Sequence, residues 1–578
     1  MPSSRTAVRL ALGALLVLPS LGSAQAASRP RPAATAAAEL PRKYMGKPTT
    51  APISAADLMT RLYIFADDSM MGRQVGTEYN LKGTAYIERE VRRLGLVPAG
   101  DNGGYFQNIP LFSNSTDTVA TAVKVGGQTL AFGTDYLPIP RAGRTIALDG
   151  VPVIYGGVGA DSTTWPAAAD VAGKIVVLAV QNVPGPMRAI FSEKSRFGGA
   201  AALLVVGLQR LPPAAIPQVA HSTALRESMT PSPAPSSILI TPRVASLILG
   251  SMDSVKTGAV GKALSGSIVL REEQAPGRNV VAILPGSDPV LKSEYVAVGA
   301  HNDHIGFNNR PVDHDSVRAY MAVARPQGAD SPSGVTLTAE QTDRIRAMTD
   351  SLHKLHGVRL DSIYNGADDD GSGSVSVLEI AENLASAKVK PKRSILFVWH
   401  TGEEAGLYGS EYYTDHPTVP RDSIVAQLNM DMVGRGAATD VTGEKKEGGL
   451  TRGGPGYVQL VGSRRLSTEL GDLIEEVNRS GKLGLNFDYS IDANGHPQNI
   501  YCRSDHYEYA RYGIPVTFFT TGGHADYHQV TDEPQYIDYG RMAQVATLVR
   551  DAAIKIAGLD HRVVVDKPKP DPKGRCVQ

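Results

Sequence analysis

Five near-continuous apolar runs, at residues 280–284, 295–298, 395–398, 425–428 and 515–519, constrain this chain more than any other feature. A strand that is apolar at every position is buried on both faces, as in a parallel sheet covered by helices. Helical segments separate the runs, so residues 273–564 are expected to form an α/β domain, a mixed, largely parallel sheet flanked by helices. Open sheets of this kind bind ligands just beyond the carboxyl ends of their strands.

Those ends carry ligand-type side chains. His301 stands in Gly299-Ala300-His301-Asn302-Asp303, Glu403-Glu404 follows the 395–398 run, and Asp431 follows the next. Asp369 lies in the Gly-rich acidic turn 368–373, ahead of a helix expected over about 374–385. His528 comes about eight residues after the last run. Two histidines with three or four carboxylates suit a pair of zinc ions. Adjacent Glu403 and Glu404 can divide the work, one on a metal and one on a proton.

Rival readings exist for the same residues. His304, His506 and His524 compete as ligands. His524 and His528 have the i,i+4 spacing of a two-His zinc helix, but Gly522-Gly523 before them and Pro534 after them argue against a helix. Asp368, Asp370, Ser372, Gly373 and Glu379 match the spacing of a calcium loop, although the preceding 361–366 reads as a turn and not as an entering helix.

The rest of the chain divides by texture. At 578 residues, two or three domains are expected. Arg5 and Arg9, an apolar segment over 10–21 and the small-residue site Ala24-Gln25-Ala26 read as an export signal, residues 1–26, too short to span a bilayer. The expected destination is the periplasm or the extracellular medium, without stable membrane association. Residues 27–49 read as a Pro/Ala-rich linker. In 50–112 Ser54 can cap one helix, while Ala85, Ile87, Val91 and Leu94 form a helical stripe closed by Gly95. From 113 to 272 short β-type runs separated by Gly, Pro and Asp suggest an inserted β-rich domain, in which His221 stands alone.

A charged insertion over about 307–363 holds one amphipathic helix, capped by Thr338 and Gln341, with Ile345, Met348, Leu352 and Leu355 on one face. Residues 565–578 are Lys/Pro/Asp-rich and are expected to be an unstructured tail. The 58 basic and 58 acidic residues balance, so nothing points to nucleic acid as a partner. With two cysteines in the chain, a Cys-based zinc site is excluded; Cys502 and Cys576 can pair or remain two thiols.

The motifs GAHNDHIG, NGADDDGSG, HTGEEAGLYGS, NMDMVG, RSDHYEYARYGIP and DYHQVTDE, in this order, resemble those of the co-catalytic di-zinc aminopeptidase and glutamate-carboxypeptidase-type metallopeptidase family. The resemblance covers about 50–112 and 273–560, and 113–272 is similar to the protease-associated domain that many members carry. It implies two Zn²⁺ per chain bridged by Asp369, with His301 and Asp431 completing one site and Glu404 and His528 the other. It implies Glu403 as general base, Asp303 as the acid that orients His301, and Tyr527 as an oxyanion donor. The implied activity is that of an exported zinc exopeptidase acting on peptide substrates, above all an aminopeptidase. The alternatives are a carboxypeptidase or dipeptidase for small acidic or modified peptides, with Arg435 or Arg503 on the substrate carboxylate, a one-zinc glutaminyl-cyclase-like enzyme, and a catalytically silent receptor-like member.

Overall fold

The expected runs form the middle of a nine-stranded sheet: β1 (Val97–Pro98), β2 (Phe106–Asn108), β3 (Arg278–Leu284), β4 (Tyr295–His301), β5 (Ser394–His400), β6 (Ile424–Met430), β7 (Tyr457–Val461), β8 (Asn486–Asp488) and β9 (Val516–Thr520). The computed structural model describes residues 40–141, 143–159, 161–179, 195–211, 216–226, 234–325, 328–331, 336–436 and 453–578. The export segment 1–26 and most of the 27–49 linker lie outside them.

Strand order is β1-β3-β5-β4-β6-β9-β7-β8, with β2 also on β3. The four central strands β5, β4, β6 and β9 are parallel neighbours. Antiparallel pairing is confined to the flanks, β3 on β5 and β7 on β9, with β1 and β2 on β3. The four strand ends that carry His301, Glu403-Glu404, Asp431 and the approach to His528 therefore open side by side.

Side chains alternate across the sheet, so each strand serves two layers. On β5, Trp399 donates its indole N–H to the Ser374 carbonyl of α5 (Gly373–Ser386). The next residue, His400, turns to the other face, 3.0 Å from the Tyr509 hydroxyl of α7 (His506–Ala510). That second face is filled by Leu396, Val398, Val516 and Phe518 against Tyr413 of α6 (Tyr408–Asp415) and Tyr507 and Tyr509 of α7. On the first face, α5 packs with α1 (Ala55–Phe65) and α8 (Tyr539–Ala557). The Ser54 side chain caps α1 by accepting from Asp57 N–H, and α2 (Glu78–Arg93) buries Ile87 and Val91 and ends before Gly95 at φ +71°.

Between β2 and β3 the chain makes two further sheets. It enters through Leu111–Thr116 and leaves through Leu264–Ala275, which pair antiparallel with Leu111 opposite Ala275. One sheet has six strands around that pair; the other runs Tyr136–Ile139, Ser236–Ile240, Ala202–Val206, Ile175–Ala179, Val153–Val158. Val125, Leu148, Val177, Leu204 and Ile238 fill the space between them.

The 307–363 insertion closes on itself in the same manner. Phe307–Asp313 and Leu360–Ile363 pair antiparallel, with Phe307 opposite Ile363, and carry α3 (His314–Ala324) and α4 (Ala339–His356). Thr338 and Gln341 make the expected reciprocal cap. Met348 and Leu352 face Met321 and Ala322 of α3 across a cleft, but Leu355 is 75% exposed. His353 of α4 already reaches Asp313, the residue before α3, so Leu355 lies beyond the end of its partner helix.

One expectation is corrected, and one rival reading is set aside. The tail is not free: Cys576 is bonded to Cys502, and the Gln578 side chain donates to Ile491 and Ala493 carbonyls and accepts from Tyr501 N–H. The calcium-loop spacing is coincidental, because Glu379 lies inside the α1–α5 interface, 3.0 Å from the Arg61 guanidinium. Among the described residues, no helix is long and apolar enough to cross a membrane.

Candidate metal centre

Three consecutive aspartates at the start of α5 divide into anchors and a free carboxylate. The Asp368 carboxylate accepts from Gly434 N–H at 2.6 Å. That of Asp370 accepts from Gly373 (2.8 Å), Met432 (3.2 Å) and His301 (3.2 Å) N–H groups. Asp532 holds the turn from behind by accepting from the Asp368 and Asp369 N–H groups. The backbone is thus tied to three neighbouring strand ends, and the Asp369 carboxylate remains aimed at the histidines.

Its two oxygens face different clusters. Oδ1 lies 3.2 Å from His301 Nε2, which is itself 3.7 Å from Asp431 Oδ1. Oδ2 lies 3.1 Å from His528 Nε2, and that nitrogen is 3.0 Å from Glu404 Oε2. The five residues expected as metal ligands therefore come together, two on each side of Asp369. Glu403 Oε2 sits 4.0 Å from His301 Nε2, on the His301–Asp431 side. His304, one of the rival histidines, joins this side: its Nδ1 lies 2.7 Å from Glu404 Oε1 and 3.7 Å from Asp369 Oδ2. The other rivals stand apart. His524 backs Asp368 at 3.2 Å, and His506 packs on the Phe518 ring, where burial pulls its pKa down to about 3.

Asp303 ties the loops to one another. Its Oδ1 accepts from Gly402 N–H at 2.7 Å and Glu403 N–H at 3.2 Å, fixing the turn after β5. His301 Nδ1 is 3.2 Å from the Asp303 carbonyl and 3.7 Å from its carboxylate, so the residue reaches the imidazole through both groups. Tyr527 stacks on His528 at 3.9 Å, with its hydroxyl 3.5 Å from an Arg503 nitrogen. A cavity of about 320 Å³ opens above, with Asp369, Glu403 and Asp431 at its floor and Ile491, Ile500, Phe518, Arg503 and Tyr527 in its walls.

The electrostatics favour cations. Burial works against a protonated His301, but the Asp431 and Glu403 carboxylates outweigh it and hold its pKa well above the ordinary value. Burial likewise opposes a charged His528, which Glu404 and Asp369 nevertheless push up to about 10. Asp369, despite burial, is pulled well below the usual carboxylate range by His301 and His528. Glu403 is pushed well above it, first by burial and then by Asp431 and Glu404. Negative charge is in surplus here, and divalent metal would meet it with neutral imidazoles. His301 Nε2, His304 Nδ1 and Nε2, Asp369 Oδ2, Glu404 Oε1 and His528 Nε2 are buried without a hydrogen bond, a condition that native interiors avoid unless something else binds those atoms. The donor set of imidazoles and carboxylates fits zinc.

The sheet thus presents two imidazole–carboxylate clusters that share one aspartate, each able to hold a metal ion. The family model for peptidase family M28 matches residues 279–553. Leupeptin-inactivating enzyme 1 of Streptomyces exfoliatus is 31% identical over 182 residues, 31% of this chain and 34% of that enzyme. Leucine aminopeptidase 1 of Aspergillus oryzae is 28% identical over 200 residues, 33% of this chain and 47% of that protein. The chain thus spans between a third and a half of the length of these curated relatives. Among solved structures, an aminopeptidase from Aneurinibacillus sp. strain AM-1 has a TM-score of 0.48 at 15% identity, covering 90% of this chain and 97% of that one. A zinc aminopeptidase from Bacillus subtilis has the same score, 0.48, at 17% identity, covering 87% and 95%.

Proposed function

We propose that this chain is an exported zinc-dependent aminopeptidase that hydrolyses the N-terminal peptide bond of peptides. The observation that carries this reading is the Asp369 carboxylate, with one oxygen toward His301 and Asp431 and the other toward Glu404 and His528. Those residues would hold two Zn²⁺, which would supply Lewis acidity and lower the pKa of a bound water. Glu403 borders the cavity but stands back from the imidazoles, the position of a group that moves a proton. It takes the proton of the attacking water and returns it to the leaving amine. Asp303 keeps Glu403 in register by holding its backbone N–H. Tyr527 donates its hydroxyl to the developing oxyanion. The acidic floor attracts a substrate's ammonium end, and Ile491, Ile500 and Phe518 accept an apolar side chain. Residues 113–272 would form a protease-associated domain.

A second reading, a carboxypeptidase or dipeptidase, is favoured by one observation: Arg503 lines the cavity, where it can meet a carboxylate. Arg435 does not serve that reading, being buried against Asp526 at 2.9 Å. Purified protein should carry up to two zinc ions and cleave aminoacyl anilides. Cleavage confined to N-blocked peptides with a free C-terminus would establish the second reading, and zinc-free protein of undiminished activity would end both.

A further inference from the structure

We propose that His304 is a ligand of the metal held by Glu404 and His528, which makes the two halves of the centre unequal, a closed site and an open one. The inference rests on the metallopeptidase reading above and goes beyond its five ligands.

Geometry carries it. His304 is 1% exposed, and both its ring nitrogens lack a hydrogen bond. Nδ1 lies 2.7 Å from Glu404 Oε1, and both atoms are buried without a satisfying hydrogen bond. Zinc bonds of about 2.0–2.1 Å in a tetrahedron place neighbouring donor atoms about 3.3 Å apart. The separations found here bracket that value: 2.7 and 3.7 Å from His304 to Glu404 and Asp369, 3.0 and 3.1 Å from His528 to the same pair. The His304 and His528 rings meet edge to face, with centroids 5.5 Å apart, so two imidazoles and two carboxylates enclose one point. The backbone makes room for this. Gly366 has φ +55°, and a Cβ there would come within 2.5 Å of His304 Cγ. Arg73 fixes the same turn by donating to the Asn365 and Gly366 carbonyls and, on the histidine loop, to Asn302.

The other half has three protein donors, His301, Asp369 and Asp431, beside Glu403 and the cavity. Four protein ligands leave a metal no open position, whereas three leave one for water or substrate. The division of labour follows: the His304 side holds its ion tightly, and the Asp431 side exposes its ion to Glu403 and the peptide.

Zinc content and affinity test this on the full-length protein, with Zn²⁺ as the probe. Wild type should bind two zinc ions with clearly unequal affinity and keep one through dialysis against a moderate chelator. H304A should lose that retained ion, while D431A keeps it. The loss should exceed the roughly 10–100-fold weakening that follows removal of a supporting hydrogen bond. H304Q, which keeps a polar side chain at this position but ligates poorly, should behave as H304A; circular dichroism of the metal-free proteins checks that all variants fold. Wild-type zinc stoichiometry and affinity in H304A or H304Q would overturn the proposal, as would two equal sites in wild type. Absence of zinc from wild type would instead overturn the metallopeptidase reading on which the proposal rests.

Discussion

At the scale of single residues, neighbours in sequence are separated by function. Asp369 keeps a bare carboxylate between two clusters, while Asp368 and Asp370 spend theirs on backbone N–H groups. Glu403 and Glu404 part in the same way, the first near His301 and the second against His528. Glu403→Gln should therefore retain zinc and lose on the order of 10²-fold or more in kcat, as removal of a general base does; near-wild-type turnover, measured with a metal assay alongside, would show that the wrong glutamate of the pair had been chosen. Asp369→Asn should instead weaken both metals, because its oxygens serve both clusters. The strand-end residues were legible because a buried strand announces where it stops, and polar residues just past that point have few roles. His304 was not legible: it stands three residues past His301 in a loop, where no periodicity says which way a ring turns. Asp532, which holds the acidic turn from behind, was hidden by its distance of more than 160 residues from its partners.

At the scale of elements, the sheet's mouth depends on how the helices behind it are clamped together. Arg61 of α1 is buried and pairs with Glu90 of α2 at 2.8 Å, with Glu379 of α5 at 3.0 Å and with Glu382 of α5. Because α5 begins at the acidic turn, this clamp sets where Asp369 sits. Removing one member of a buried ion cluster strands the others, so Arg61→Ala should cost about 3–5 kcal/mol in urea unfolding. Glu379 adds a pH signature. Burial, partly offset by Arg61, raises its pKa from 4.5 to about 7. The folded state then holds a proton that the unfolded state releases earlier. Its contribution to stability is present below about pH 4.5 and is lost as pH rises through about 7. Measured at pH 5 and pH 8, Glu379→Gln should show a shallower fall in stability than wild type; parallel slopes would refute the assignment. None of this clamp was visible in the chain, since Arg61, Glu379 and Glu382 lie on helices whose mutual rotation the apolar stripes define only coarsely. The central strands were visible because double burial leaves no polar position. The edge strands β1, β2 and β8 are two or three residues long and carry too little pattern to be read.

At the scale of the whole molecule, the chain's last residues come back to the site. Cys576 and Cys502 close a loop across a separation of 74 residues, and Gln578 binds the backbone at Ile491, Ala493 and Tyr501. That same stretch supplies Ile491, Gln498, Ile500 and Arg503 to the cavity wall. Composition alone read the tail as free, because Lys, Pro and Asp cannot form an apolar stripe; a covalent bond and a few amide contacts hold it without one. Cross-linking a loop of this length removes unfolded-state entropy worth about 4 kcal/mol in the chain-entropy model, and native disulfides typically deliver 2–4 kcal/mol. Cys576→Ser should therefore lower stability by about that amount in denaturant unfolding. Its effect on catalysis should be selective. The proposed ligands His301, Asp369, Glu404, Asp431 and His528 all lie outside the 490–503 stretch, so zinc content should not change. The wall of the cavity loses its anchor, so KM for peptide substrates should rise by more than kcat falls. A parallel loss of zinc would mean that the tail supports the metal centre itself, and an unchanged KM would mean that the 490–503 loop keeps its shape without the tail.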